Sequence, residues 1–180
     1  RVKPGPGGGP VVALVTPADF GRTASVFFQA SGATHEQLIE TRLILEPVMA
    51  RLAAQRITEE GKKTLQALID RARAVTDDAD AAEWGAVSSD FHAAIGALHG
   101  NEVLRLFGTS LASVQDERMR SAETPGDREE VLRVHKRIAD AIISGNADAA
   151  ERVMRSHLAA IGERQREISP GTLHEVICWL

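Results

Sequence analysis

The sequence has few of the residues that mark disulfide-rich and membrane-spanning proteins. Its 180 residues include one cysteine, Cys178, and no tyrosine, and aromatic side chains make up only 4%. A single cysteine excludes an internal disulfide framework and fits a reducing compartment. No apolar run is long enough to span a bilayer, and no signal-peptide pattern opens the chain. We therefore expect a cytoplasmic protein without a membrane partner.

A strong charge of one sign is also lacking. The net charge of −4 at pH 7 argues against this segment itself holding a nucleic-acid backbone. Hydrophobic residues make up 43% and charged residues 26%, which is typical of a soluble globular domain. Alanine, leucine, arginine and glutamate dominate the composition, and these residues favour helix.

The amino-terminal residues differ in composition from the rest. Residues 1–10 are rich in glycine and proline, and the β-prone residues 11–15 follow. This pattern predicts a turn and then a short strand. A lone strand has nothing to pair with, and the chain opens with Arg1 rather than methionine. We therefore expect the tail of a β-hairpin whose other strand is missing, belonging to an amino-terminal part that has been removed.

The remaining residues show the three- and four-residue apolar spacing of amphipathic helices. Thr34 and Gln37 form a capping-box pattern before the second helix, and a loop is expected around Pro125. The fold class is therefore an all-α antiparallel bundle of about seven helices after a short remnant strand. We divide the chain into a remnant and linker, a helical domain and a tail, over residues 1–15, 16–168 and 169–180. The first four helices are predicted at about residues 16–29, 34–56, 58–75 and 80–99. A fifth is predicted from the break at Gly100 and Asn101 to about residue 120.

The last two predicted helices form a hairpin around a short polar break. Gly145 and Asn146 suit the end of the first helix, and Asp148 suits the start of the second as an N-cap residue. His135 and His157 lie on the apolar faces of the two helices, equally far from the break. An antiparallel hairpin therefore brings the two imidazoles to about the same height.

Three histidines lie on or beside apolar faces. For any one of them, a hydrogen-bonded core histidine is the more common arrangement. Three on the inward faces of one bundle favour a metal site, because three buried imidazoles seldom all find backbone partners and divalent metals bind them readily. These three are His92, His135 and His157. We expect solvated roles for the others, which lie near helix ends or in the tail: His35, His99 and His174.

Two arginines also fall on apolar faces. Arg42 and Arg118 carry guanidinium groups, which are costly to bury without an anion because they cannot shed their charge. One interpretation is a structural salt bridge, for instance to Glu40, Glu46 or Asp116. The other is a carboxylate clamp beside an open metal site, which predicts a small organic acid bound by metal on one side and arginine on the other.

Several of these motifs resemble those of one family. Residues 40–46, Glu-Thr-Arg-Leu-Ile-Leu-Glu, resemble the opening motif of the FCD domain, the effector-binding half of FadR-type GntR transcription regulators. The resemblance covers about residues 17–165. Residues 1–12 resemble the end of the family's winged helix-turn-helix, which would account for the unpaired strand. Later motifs are similar at Phe91-His92, Gly100-Asn101, His135 and His157.

The resemblance implies a ligand-sensing domain rather than an enzyme. A small carboxylate effector would bind inside the bundle of a homodimer and change its binding to DNA, which a missing amino-terminal domain would hold. By resemblance, a metal is bound by the three histidines and by an aspartate four residues before the first of them, and the ligand type suits zinc or nickel. Ser88 stands at that position, which predicts weaker metal binding or none. We expect contacts to the effector from Arg42, Ser88, Asn101 and Arg118.

Other functions stay open at this point. A metal-dependent hydrolase could use the three histidines, but Ser88 stands where a carboxylate base might have served. A metal-free sensor would bind its ligand through the histidines directly, and a purely structural bundle would bind no ligand. Turnover of carboxylic esters or amides would favour the hydrolase, and failure to bind any acid or metal would favour the structural bundle.

Overall fold

A computed structural model of the protein describes residues 2–3, 5–10, 16–75, 81–113 and 125–177. These residues contain seven long helices and a short eighth one, which confirms the predicted all-α class. None of these helices is both long and apolar enough to cross a membrane. The helices are α1 (Pro17–Ser31), α2 (His35–Arg56), α3 (Glu59–Val75), α4 (Ala81–Leu98), α5 (Glu102–Ser113), α6 (Pro125–Ile143), α7 (Ala147–Ile168) and α8 (Pro170–Leu173).

A small β-hairpin precedes the helices. Its strands β1 (Val2–Lys3) and β2 (Gly9–Pro10) pair antiparallel. The turn between them includes Gly5, whose φ of 106° is accessible mainly to glycine. Only a turn was predicted over residues 1–10, so the sequence missed the pairing of these two strands. The strand predicted at residues 11–15 lies outside the described residues, and the boundary drawn there stays a prediction.

The start of α2 follows the predicted capping box. The Thr34 backbone N–H donates to Oε1 of Gln37 at 3.1 Å, and the Gln37 N–H donates to Oγ1 of Thr34 at 3.4 Å. These bonds satisfy two of the amide groups that a helix start leaves unpaired. Local side-chain chemistry thus determines where α2 begins.

Helices α6 and α7 form the predicted hairpin with two corrections at their ends. Gly145 closes α6 in the left-handed region with a φ of 72°. Asn146, and not Asp148, caps α7, because its Oδ1 accepts from the Ala149 N–H at 3.1 Å. The loop expected around Pro125 is also wrong at that residue. Pro125 begins α6, since proline needs no amide partner in the first turn of a helix.

Helix α2 lies at the centre of the bundle. Its most extensive contact is with α7, and it also packs on α4, α5 and α6. Burial of apolar side chains between these helices supplies the main favourable contribution to folding. The central core includes Met49, Ala50, Ala53, Leu65, Ile69, Phe91, Ile95, Ile138, Ile142, Ala150, Met154 and Leu158.

The carboxy-terminal tail docks on the start of α2. The Ile177 N–H donates to the Ala33 carbonyl at 2.9 Å, and the His35 N–H donates to the Glu175 carbonyl at 3.2 Å. The tail therefore covers the start of α2, where the sequence alone predicts solvent exposure.

The burial of two histidines corrects part of the histidine assignment. His35 is 1% exposed and His99 is 0% exposed, so the solvated roles expected for them are wrong. The backbone N–H of Asn101 donates to Nδ1 of His99 at 3.1 Å, which holds that ring inside the turn after α4. His174 is exposed, as expected.

The cap of α7 can be tested by substitution. Replacing Asn146 with alanine removes the hydrogen bond to the Ala149 N–H and should lower the free energy of unfolding by about 1 kcal/mol. Urea unfolding followed by circular dichroism measures this loss. Asp148→Ala, which removes an exposed ion pair with Arg51, is the matched control and should cost less. A larger loss for Asp148→Ala would return the capping role to that residue.

Candidate metal centre

Three helices bring three histidines together inside the bundle. His92 comes from α4, His135 from α6 and His157 from α7, and all three side chains are buried. One ring nitrogen from each lies within 4.8 Å of the others. The convergence expected from the sequence is thus confirmed, and we name these residues the histidine cluster.

The spacing of the ring nitrogens fits a shared metal ion. Nε2 of His135 and Nε2 of His157 are 3.1 Å apart, as their equal distances from the hairpin turn suggested. Two imidazole nitrogens bound to one ion at about 2.0–2.1 Å lie roughly 3–3.4 Å from each other. Neutral imidazole also suits divalent zinc and nickel. The residues present therefore fit a divalent metal, although their role as ligands stays a prediction.

Ring packing holds the cluster in place. Phe91 stacks on His135 with ring centroids 4.2 Å apart and an angle of 17° between the planes. His92 and His157 stack with centroids 5.5 Å apart. Because Phe91 and His92 are neighbours on α4, that one helix positions the rings from both α6 and α7.

A buried carboxylate joins the cluster to α2. Oε2 of Glu46 lies 2.5 Å from Nδ1 of His92, and Oε1 of Glu46 accepts from Nε of Arg42 at 2.5 Å. The salt-bridge interpretation of Arg42 is therefore confirmed, with Glu46 as the partner. The sequence named Glu46 only as one possible partner and missed its contact with His92, which lies 46 residues away.

Glu46 determines which nitrogen of His92 faces the cluster. An ionised carboxylate only accepts hydrogen bonds, so Nδ1 of a neutral His92 must carry the proton and Nε2 the lone pair. Burial alone would raise the pKa of Glu46, but Arg42 and His92 outweigh burial and hold that pKa well below its ordinary value. The carboxylate therefore remains ionised and keeps His92 oriented.

Two of the cluster histidines are held neutral. Burial lowers the pKa of His135 well below its ordinary value, and repulsion from the Arg42 guanidinium and from any charge on His157 or His92 would act in the same direction. Burial, with His92 and Arg42, lowers the pKa of His157 to about 3. Neutral imidazole is the form that binds a metal, so the cluster needs no deprotonation of these two rings at neutral pH.

The position one helical turn before His92 supplies no negative charge. Ser88 is half-buried one helical turn before His92. Asp90 is directed to the surface, where its carboxylate accepts from Arg71 at 2.7 Å. No carboxylate among the described residues joins the three converging nitrogens.

The structure describes one of the other two predicted effector contacts. Asn101 is exposed, and its Oδ1 caps α5 by accepting from the N–H groups of Val103 at 3.1 Å and Leu104 at 3.2 Å. Its side chain is thus engaged in helix capping. Arg118 lies outside the described residues, so its role stays a prediction.

A surface groove borders the histidine cluster. It has a volume of about 740 Å³, lies between α6 and α7, and is lined in part by His157. Its apolar lining includes Val134 and Val153, and its charged lining includes both basic and acidic side chains: Arg137, Arg152, Arg164, Asp127 and Glu130. His157 is therefore the cluster residue that also borders open space in this groove.

Comparison with known proteins relates the chain to transcription regulators. The family model of the FCD domain matches residues 37–160. The chain is 29% identical over 134 residues to the HTH-type transcriptional regulator LutR of Bacillus subtilis, covering 70% of the chain and 59% of that protein. It is 30% identical over 129 residues to the putative L-lactate dehydrogenase operon regulatory protein of Escherichia coli, covering 69% of the chain and 48% of that protein. The chain spans about half the length of these relatives.

A solved structure extends the likeness to the fold. The Streptococcus agalactiae GntR structure matches with a TM-score of 0.58 and 25% identity, over 72% of this chain and 58% of that chain. The range matched by the family model includes the whole histidine cluster, Arg42 and Glu46. These matches bear out the resemblance inferred from the motifs.

Removing one partner of the buried ion pair should be costly. Glu46→Leu leaves the guanidinium of Arg42 buried without its carboxylate and should lower the free energy of unfolding by about 3–5 kcal/mol. The double variant Arg42→Met/Glu46→Leu should lose less, because it removes both charges together. Urea unfolding of the single and double variants gives the comparison. Arg71→Ala, which breaks an exposed pair, should change little. If the double variant lost as much stability as Glu46→Leu and Arg42→Met lose separately when summed, the two residues would not be coupled.

The lowered histidine pKa values predict a pH dependence of stability. Below about pH 6.5 the unfolded chain binds protons that folded His135 and His157 do not, so the free energy of unfolding falls as the pH is lowered. For His157 the fall continues towards its folded pKa of about 3. His157→Gln should reduce the slope by up to about 1.4 kcal/mol per pH unit. Urea unfolding at pH 7, 6 and 5 measures both slopes, and an unchanged slope would contradict a neutral, buried His157.

Proposed function

The chain belongs to the FCD domain family, and on that premise we propose that it is the ligand-sensing part of a GntR-type transcription regulator. The observation that carries this proposal is the buried histidine cluster beside the Arg42–Glu46 ion pair. The cluster takes one residue from each of α4, α6 and α7, and the ion pair on α2 joins it through the contact of Glu46 with His92. A ligand bound there would contact several elements of the bundle at once.

The ligand class follows from the donor groups. A divalent metal bound by the cluster would offer open positions to an oxygen ligand, because three protein ligands do not complete its coordination. A small carboxylate supplies such an oxygen. We propose Arg42, Ser88, Asn101 and Arg118 as its contacts, with Arg42 and Ser88 the better supported because Arg42 joins the cluster through Glu46 and Ser88 lies one turn before His92.

The first acid to test comes from a relative. The name of the Escherichia coli relative links it to an L-lactate dehydrogenase operon. We therefore propose a small hydroxy acid such as L-lactate as a candidate ligand of this chain. Zinc and nickel are the candidate metals, since imidazole suits both.

The signal would pass from the bundle to DNA in a longer protein. We propose that a cytoplasmic homodimer holds DNA through an amino-terminal winged-helix domain, of which residues 1–15 are the end. Ligand binding would shift the equilibrium between two packings of the bundle and so change the spacing of the DNA-binding domains.

A hydrolase is a weaker proposal. Both carboxylate oxygens of Glu46 are engaged, one by Arg42 and the other by His92. Neither is therefore free to accept a proton from an attacking water. The similar proteins are regulators, which also favours sensing over turnover. Hydrolysis of carboxylic esters by the metal-loaded chain at rates that depend on the cluster would reverse this preference.

Metal content tests the proposed function directly. The purified chain, after incubation with zinc or nickel and removal of excess ion, should hold about one metal per chain by elemental analysis. Alanine at His92, His135 and His157 together should abolish this binding, because it removes every proposed ligand. His174→Ala, at an exposed histidine outside the cluster, should retain the metal.

The acid part of the proposal needs its own readout. L-lactate should raise the thermal midpoint of the metal-loaded chain, because a ligand that binds only the folded state stabilises it. The triple alanine variant should show no such shift. If the native chain holds no metal after incubation with zinc or with nickel, the proposed metal centre is wrong. The search would then turn to acids bound by histidine and arginine alone.

A further inference from the structure

Three neighbouring helices expose large hydrophobic side chains to solvent. Outside α1, α2 and α5, the described residues of this kind are Ile168 and Val176. A folded protein seldom exposes so many apolar groups on elements in mutual contact unless a partner covers them. The six on these helices, each at least 42% exposed, are Val26, Phe27, Ile44, Val48, Val103 and Phe107.

Two apolar clefts connect the three helices. One, of about 280 Å³, lies between α1 and α5 and is lined in part by Phe27 and Phe107. The other, of about 330 Å³, adds Thr41 of α2 and shares Phe107 with the first. From Thr41, the exposed stripe of α2 continues at three- and four-residue spacing to Ile44 and Val48. We name the two clefts, with the exposed side chains of Phe27, Ile44, Val48 and Val103, the apolar face.

The apolar face has no charge at its centre. No ionisable side chain is among the described residues that line the two clefts. Charged residues at the starts of α1 and α5 are paired within their own helices, Asp19 with Arg22 and Glu102 with Arg105. An apolar centre with a polar rim is the usual composition of a protein–protein interface.

The symmetry of a homodimer points to a second copy of this chain as the partner. A two-fold axis places the same surface of both copies together, so a charge near the axis would meet a charge of its own sign. The apolar face avoids this repulsion. It also combines a projection with hollows, because Phe27 is 69% exposed and the clefts lie beside it. A surface with both can pack against its own copy.

We propose that the apolar face is the interface between two copies of this chain, with Phe27 of each copy entering a cleft of the other copy. The proposal rests on the homodimer of the proposed function and adds the surface that forms it. Helix α1 begins at Pro17, about 15 Å along the helix from Phe27. The amino-terminal ends of both helices would therefore lie near one interface, which suits a dimer that holds DNA through amino-terminal domains.

Helix α2 would connect this interface to the histidine cluster. Thr41, Ile44 and Val48 lie on one side of two helical turns, and the buried Arg42 and Glu46 lie on the opposite side of the same turns. A ligand that shifts α2 at the ion pair would therefore also move the side chains that face the other copy. Small helix shifts at subunit interfaces are a common route of signalling between sites.

The test is the dimer dissociation constant of the chain, measured by sedimentation velocity from about 1 to 100 µM. Phe27→Asp removes the projecting ring and places a charge against an apolar cleft. It should raise the dissociation constant at least about 30-fold, as loss of a central aromatic contact does at other interfaces. Ile44→Asp makes the corresponding change on α2 and should also weaken the dimer. Both side chains are exposed, and circular dichroism checks that each variant is folded.

A matched control lies on α7. Ile168 is 40% exposed and lies outside the apolar face, so Ile168→Asp should leave the dissociation constant unchanged. Hydrogen exchange locates the interface without substitutions. Raising the concentration of the native chain from below to above its dissociation constant should slow amide exchange in α1 and α5 but not in α3.

The outcomes separate this proposal from the proposed function. If Phe27→Asp and Ile44→Asp dimerise as tightly as the native chain, the apolar face is not the interface, and the homodimer stands on another surface. Loss of the dimer in Ile168→Asp to the same extent would also overturn the assignment. If the native chain is monomeric at every concentration, both the homodimer of this chain and its interface are wrong, and another partner covers the face. Metal and acid binding are measured separately and do not depend on this result.

Discussion

The carboxylate of Glu46 is the constraint on which the interior of the bundle depends. It is buried, and it contacts Arg42 on its own helix and His92 on α4. A buried charge persists only with such partners, so α2 and α4 must keep these side chains together. Phe91, next to His92, then stacks on His135 and extends the constraint to α6. One anion thus relates three helices to each other.

The side chains of the histidine cluster also form packing contacts between the helices. In the same bundle, Met49, Ile95, Ile138 and Ile142 belong to a core with almost no exposed surface. Such close packing resists gradual deformation. A ligand that alters the hydrogen bonds of the cluster is therefore expected to act on whole helices rather than on isolated side chains. That property suits a domain whose output, in our proposal, is a change in helix packing.

Local patterns predicted the fold well and the site in part. The capping residues Thr34 and Gln37 and the equal spacing of His135 and His157 are properties of short stretches, so they could be inferred from the sequence. The contact of Glu46 with His92 joins residues 46 positions apart, and no local pattern specifies it. The burial of His35 depends on the tail folding back onto α2. The choice of Asn146 over Asp148 as a cap shifts the helix start by two residues, which is within the usual uncertainty of helix ends.

The length of the turn between α6 and α7 fixes the position of His135 relative to His157 in the histidine cluster. Gly145 has a left-handed conformation, and a Cβ added there would lie 3.7 Å from the carbonyl oxygen of Ala54, so the turn is seated on α2. Each added residue moves a helix position by about 1.5 Å along the axis and about 100° around it. A single insertion in the turn would therefore carry one imidazole out of line with the other, although every ligand was still present. Length variation at this turn is thus a criterion for judging which related chains retain the cluster.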